Sequence, residues 1–172
     1  MGLPSRRSLL QGACAPLAAV ALASCGFSLR SSQKFPFKSM YTGPIIGSAL
    51  LIELSRQVAG SGGVEIITDQ RQVERADVIF ELLQEQREKV VAGRTSSGSV
   101  REFLLRTNLR FRLRTREGKE LIPDTVLVAT TDISYNETLA LSKDQEEQML
   151  YRSMGSDLVG QIVRRMAALP SL

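Results

Sequence analysis

The chain has 172 residues, with 22 Lys+Arg against 18 Asp+Glu, no His and no Trp. That length suits one domain that buries about two thirds of its extended surface without staples, and 43% hydrophobic with 23% charged residues excludes a disordered chain. The absence of His excludes Ser–His and Cys–His nucleophiles and His-ligated zinc or iron, so neither an enzyme nor a metal site is expected, and three Tyr, six Phe and no Trp weigh against a base-stacking nucleic-acid binder.

Residues 1–12 carry Arg6 and Arg7 and no acid, and residues 13–24, ACAPLAAVALAS, are uncharged and mostly apolar. Such a run is shorter than the roughly 20 residues that span a bilayer, and it suits the apolar segment of a signal peptide. It ends in Leu22-Ala23-Ser24-Cys25, which resembles the bacterial lipobox. Residues 1–24 are therefore expected to be removed, and Cys25 to carry covalent diacylglycerol and palmitate, with no other cofactor. Ser5-Arg6-Arg7-Ser8-Leu9-Leu10 resembles a twin-arginine export signal, with the general secretory route left open. Gly26, rather than Asp, follows the lipidated Cys. By resemblance to lipoprotein sorting in enteric bacteria, that implies an anchor in the outer membrane, facing the periplasm. Cys14 leaves with the signal, so the mature chain holds no free thiol and no disulfide. Several acyl chains on one Cys make a durable anchor.

Residues 25–35, with Ser28, Ser31 and Ser32, read as a lipidated tether ahead of a single domain at 36–170. Residues 37–42 form a short strand candidate that Gly43-Pro44 breaks. From Ile45 to Ala59, Ile46, Leu50, Leu54 and Val58 recur every four positions, which predicts an amphipathic helix ended by Gly60-Ser61-Gly62-Gly63. Residues 64–68 read as a strand and 69–76 as a polar connection. Residues 77–92 and 99–115 read as a hairpin about Gly93, Ser96, Ser97 and Gly98. A third long strand at 124–135 follows the turn at Arg116–Lys119 and starts after Pro123 or lies at a sheet edge.

The last element is a helix with Ser142 as N-cap and Gln145 as its capping-box partner. Asp144, Glu146 and Glu147 are expected in its first turn, Arg164 and Arg165 near its end, and Pro170 stops it. Its apolar face is Leu150, Met154, Leu158, Ile162 and Met166, with Val159 and Val163 beside it. The expected fold is α+β, with two helices packed on one face of a largely antiparallel sheet. The element order itself contains five strands.

Two basic groups stand out. In 99–115, Leu105, Leu109, Phe111 and Leu113 share one face while Arg106, Asn108, Arg110, Arg112 and Arg114 share the other. This arginine row is either a solvated face balanced by Glu81 and Glu85 across the strands, or a contact surface for a polar or anionic partner. In a meander, Arg94 at the hairpin tip and Lys143 at the start of the last helix fall at one end of the sheet, with Lys89 and Arg101 nearby.

These residues resemble the lipopolysaccharide-assembly lipoprotein family LptE. The matching pieces are Cys25-Gly26-Phe27-Ser28-Leu29-Arg30, the Phe37–Tyr41 strand and Arg101-Glu102-Phe103. The strongest is the block from Asp132 to Met154, with its D-x-S-Y-N segment, Leu139-Ala140-Leu141-Ser142-Lys143 and Glu146-Glu147; Asp157 and Gln161-Ile162 through Arg164-Arg165 extend it. The resemblance implies a four-stranded sheet, so one short strand is expected to be irregular. It implies a 1:1 complex in which the protein plugs the outer-membrane β-barrel LptD and helps assemble it. It also implies lipopolysaccharide binding, at positions matching Arg94 and Lys143, with Lys89 and Arg101 as further candidates. Barrel contact is expected at Arg106, Arg110, Arg112 and Arg114. The expected partners are thus the barrel, lipopolysaccharide and the bilayer, with no nucleic acid. The alternative is a generic lipid-binding or envelope-maintenance lipoprotein without a barrel partner. That alternative needs an internal apolar cavity, whereas the dense alternation predicts a filled core.

Overall fold

The computed structural model describes residues 33–45, 47–61, 63–136 and 140–171, with only the backbone of Ala140 and Leu141. The signal, Cys25, the tether up to Ser32, Ile46, Gly62 and Leu139 lie outside the described residues. In chain order the elements are β1 (Ser39–Tyr41), α1 (Ala49–Gly60), β2 (Glu65–Ile67), a 3-10 turn (Gln70–Arg75), β3 (Val78–Arg94), β4 (Val100–Thr115), β5 (Glu120–Ser134) and α2 (Ala140–Ala167).

The sheet order is β2-β1-β3-β4-β5. β1 runs parallel to both β2 and β3, whereas β3, β4 and β5 form an antiparallel meander. The sheet is therefore five-stranded and mixed, not four-stranded and largely antiparallel. Neither short strand is irregular. A helix between β1 and β2 carries the chain back to the end where β1 began, so β2 enters parallel to it. Asp77 ties β1 to the start of β3, accepting from the backbone N–H of Lys38 at 2.8 Å and of Ser39 at 3.0 Å.

α1 begins at Ala49, later than the apolar spacing suggests, because Gly47 takes a left-handed φ of +91° and Ser48 is extended. The Ser48 hydroxyl then caps the helix, accepting from the Leu51 N–H at 3.2 Å. Leu50, Leu54 and Val58 are buried as the periodicity requires. β5 begins at Glu120 rather than after Pro123. Proline is tolerated there because β5 is an edge strand, and the β4–β5 register shifts nearby, between Phe111 and Leu113.

α2 begins at Ala140, so Ser142 and Gln145 sit inside the helix rather than forming its capping box, and no acid occupies its first turn. Ala and Leu are strong helix formers and carry the helix N-terminal of Ser142. Arg164 and Arg165 do lie in the last turn.

Both helices cover one face of the sheet. Leu54 and Val58 of α1 and Leu158, Ile162 and Met166 of α2 meet Val78, Phe80, Leu109, Phe111 and Leu113. The Phe80 and Phe111 rings stack with centroids 5.6 Å apart. A smaller cluster, Leu105, Ile133, Tyr151 and Met154, lies nearer the β3–β4 hairpin. Among the described residues no helix is long and apolar enough to cross a membrane.

Candidate functional site

Strand alternation on β4 places Leu105, Thr107, Leu109, Phe111 and Leu113 under the helices, all buried. Arg106, Asn108, Arg110, Arg112 and Arg114 consequently face away. Every arginine of that row has an acid. Glu81 accepts from Arg112 Nε and from Arg114 Nη2, the latter at 3.1 Å. Asp124 accepts from Arg110 Nε at 2.7 Å, and Arg106 lies 3.5 Å from Glu88. Asn108 donates to Glu88 at 3.1 Å. Burial pushes the Glu81 carboxyl up, but the bonds from Arg112 and Arg114 outweigh it and leave the pKa below the ordinary value. The hydrogen bond from Arg110 holds Asp124 low as well. The row is thus a compensated lattice across three strands.

Glu85 is not part of it. The β3–β4 register shifts between Leu82 and Gln84, so Glu85 opposes Leu109 on the helix side. A bulge adds one residue and swaps the faces of everything after it. Glu85 instead accepts from the Ser48 hydroxyl at 3.0 Å. Arg87 follows on the same side, 5.4 Å from the Tyr151 ring centre. The two helices leave an open groove there of about 290 Å³, lined by Leu50, Ile52, Glu85, Arg87, Thr107 and Tyr151 among others. It is an open groove with charged side chains beside apolar ones, not the enclosed cavity of a generic lipid carrier.

The basic end is assembled by register. Arg94 opposes Val100; two residues on, Glu102 opposes both Gly93 and Ser134. Lys143 donates to the Ser134 hydroxyl at 3.2 Å and to Glu146 at 2.7 Å. Arg94 and Lys143 therefore share an end of the sheet, as the meander requires. They attach to strands on either side of β4, however, and each bonds to its own neighbours, Arg94 to Gly98 and Lys143 to Ser134 and Glu146. Lys89 lies on the helix side, bonded to Glu147 at 2.6 Å and 4.4 Å from the Phe103 ring centre. Glu146 and Glu147 neutralise Lys143 and Lys89, a role sequence reading missed by giving both acids to the helix dipole; the i,i+3 spacing of Lys143 and Glu146 is the signal that carries it. Arg94 donates only to the Gly98 carbonyl, at 3.0 Å, and Arg101 has no side-chain partner among the described residues. These two are the cations of this end without an acid.

A model of the family LptE, described as lipopolysaccharide-assembly, matches residues 32–166. The fold is similar to lipoprotein B of Nitrosomonas europaea, with a TM-score of 0.70 and 29% identity over 83% of this chain and 91% of that one. It is also similar to a minor lipoprotein of Acinetobacter baumannii (TM-score 0.60, 23% identity, 78% and 95% covered). Rare lipoprotein B of Shewanella oneidensis shares the fold at a TM-score of 0.62 and 17% identity, with 76% and 94% covered. No curated protein sequence matches the chain.

Proposed function

We propose a function from one premise: the chain belongs to the LptE family of lipopolysaccharide-assembly proteins. Its role accordingly lies in lipopolysaccharide assembly in the cell envelope, and that family is one of lipoproteins rather than enzymes. On our reading, Cys25 carries the lipid, and the domain hangs from the outer membrane on the periplasmic side. There it forms a 1:1 complex with the LptD β-barrel, plugs its lumen, and binds lipopolysaccharide on its way to the outer leaflet.

The observation that carries this is the extent of the family match, which takes in every strand and reaches Met166 of α2. The site geometry supports the finer steps. Arg94 and Arg101 hold no carboxylate, so phosphates of lipid A and the inner core meet guanidinium groups without a competing anion. Lys143 adds to them by exchanging Glu146 for a phosphate. The outer sheet face offers arginines whose charge is already balanced, so it meets a polar barrel wall through hydrogen bonds rather than through net attraction.

Lipopolysaccharide binding by the wild type and by an Arg94→Glu, Lys143→Glu double variant tests the reading, with melting measured beside it. Binding by the variant is expected to fall at least tenfold, and binding by the wild type to weaken as salt rises. Unchanged binding at unchanged melting would place the lipopolysaccharide site elsewhere.

A further inference from the structure

We propose that the open edge of β5 is a strand-docking site, filled by an extended segment of the barrel partner. The inference rests on the barrel complex proposed above and names the surface that this complex uses. β5 closes one side of the sheet, and the order β2-β1-β3-β4-β5 gives it no neighbour beyond β4 among the described residues.

The direction of its free backbone groups follows from one hydrogen bond. The Tyr135 N–H donates to the Arg101 carbonyl at 2.8 Å. Antiparallel pairs alternate between bonded and non-bonded, so Tyr135, Ile133, Thr131, Ala129 and Leu127 spend their backbone groups on β4. Val126, Val128, Thr130 and Asp132 then aim N–H and C=O at the open edge. None of these outward groups has a hydrogen-bond partner among the described residues.

The residues along this edge are those of a strand built to be paired. Thr125-Val126-Leu127-Val128-Ala129-Thr130-Thr131 is uncharged, free of Pro and Gly, and mostly β-branched. Exposed edges normally carry charges, Pro or bulges that block pairing, because an unprotected one recruits other chains. Here those devices stand at the ends, Pro123-Asp124 on one side and Asp132 on the other, and leave the middle open. Val126 and Val128 are 59% and 51% exposed on the face beside it.

Charge decides between occupants. A second copy pairing antiparallel about Val128 matches the uncharged runs fully, but it sets Asp124 opposite the other copy's Asp132. Like charges directly opposite oppose pairing. Asp132 has no ion-pair partner among the described residues, whereas Asp124 is held by Arg110. The complementary occupant is an uncharged, β-branched strand with Lys or Arg across from Asp132.

The test is recovery of the barrel with the full-length, lipidated protein from cells making both. Thr130→Pro removes one outward N–H and nothing from the β4 ladder; Thr130→Val keeps that N–H. Asp132→Arg keeps the whole backbone and reverses the charge. We expect equal recovery with the wild type and Thr130→Val, at least a tenfold loss with Thr130→Pro, and a severalfold loss with Asp132→Arg. Where Thr130→Pro lowers the melting temperature by more than about 10 °C, Asp132→Arg decides. Barrel recovery equal to wild type in both variants overturns the docking edge and leaves the barrel complex standing. No recovery even with the wild type overturns both. A wild-type dimer in light scattering that Thr130→Pro abolishes assigns the edge to a second copy and overturns the barrel segment as occupant.

Discussion

A single carboxylate organises the outer face of the sheet. Glu81 is about a quarter exposed and receives two guanidinium groups, while each neighbouring arginine leans on one acid. Glu81→Gln removes that charge and leaves Arg112 and Arg114 facing each other. With partial solvent screening the change should cost about 1 kcal/mol, or roughly 3 °C of melting temperature for a domain of this size. The same carboxyls set an acid limit. Glu81 and Asp124 titrate below their ordinary values in the fold, so their contribution is whole above the ordinary carboxylate range. It is lost as pH falls through that range and below it, to the lowered folded values. Melting of the wild type against pH should therefore drop on the acid side, and Glu81→Gln should drop less steeply. Parallel curves would assign the acid sensitivity to other carboxylates.

At the level of elements, the helix start and the strand faces show what sequence patterning reads and what it misses. The helical spacing of Leu50, Leu54 and Val58 found α1's buried face because burial is what that spacing expresses. The start of α1 depends on Gly47's positive φ and Ser48's cap, which involve no apolar residue. The β4 faces were legible for the same reason as α1. Those of β3 were not: Leu83, the residue passed over where the β3–β4 register shifts, exchanges the faces of Glu85, Arg87 and Lys89 without a Gly or Pro to mark it. The candidate site followed this division, since placing Arg94 and Lys143 at one end needed only topology, whereas their counter-ions needed the faces. Ser48 joins the two stories, because its hydroxyl accepts from the α1 backbone and donates to Glu85. Ser48→Ala should lower stability by roughly 1–2 kcal/mol, the usual loss of a cap. Glu85→Gln should lower it by less, since an amide oxygen still accepts from the hydroxyl. Urea melts of the two variants check this order, and a larger loss for Glu85→Gln would make the sheet contact, not the cap, the main role of Ser48.

For the whole molecule, the two clusters of buried side chains imply two tiers of stability. The larger joins both helices to the sheet from Val78 to Phe80 and from Leu109 to Leu113. The smaller, Leu105, Ile133, Tyr151 and Met154, is held by α2 with few other buried partners. Beyond it toward the hairpin, Val90 and Val91 are exposed, and the helix-side contacts turn polar, with Lys89 bonded to Glu147 and the Tyr151 hydroxyl to the Glu88 carbonyl. Segments with few buried contacts open at a lower free energy than the core. Backbone amides of residues 88–104 should therefore exchange through a local opening, while those of 78–80 and 109–113 exchange only on global unfolding. Leu105→Ala sharpens the test. Leu105 is fully buried in the smaller cluster, so its truncation should cost roughly 2–5 kcal/mol. Exchange in the hairpin and in the N-terminal half of α2 should speed up more than it does in the main core. The end that loosens is the one carrying Arg94, Arg101 and Lys143, so the surface proposed for lipopolysaccharide is also the one free to adjust to it. Equal acceleration at every amide would show a single cooperative unit and remove that division.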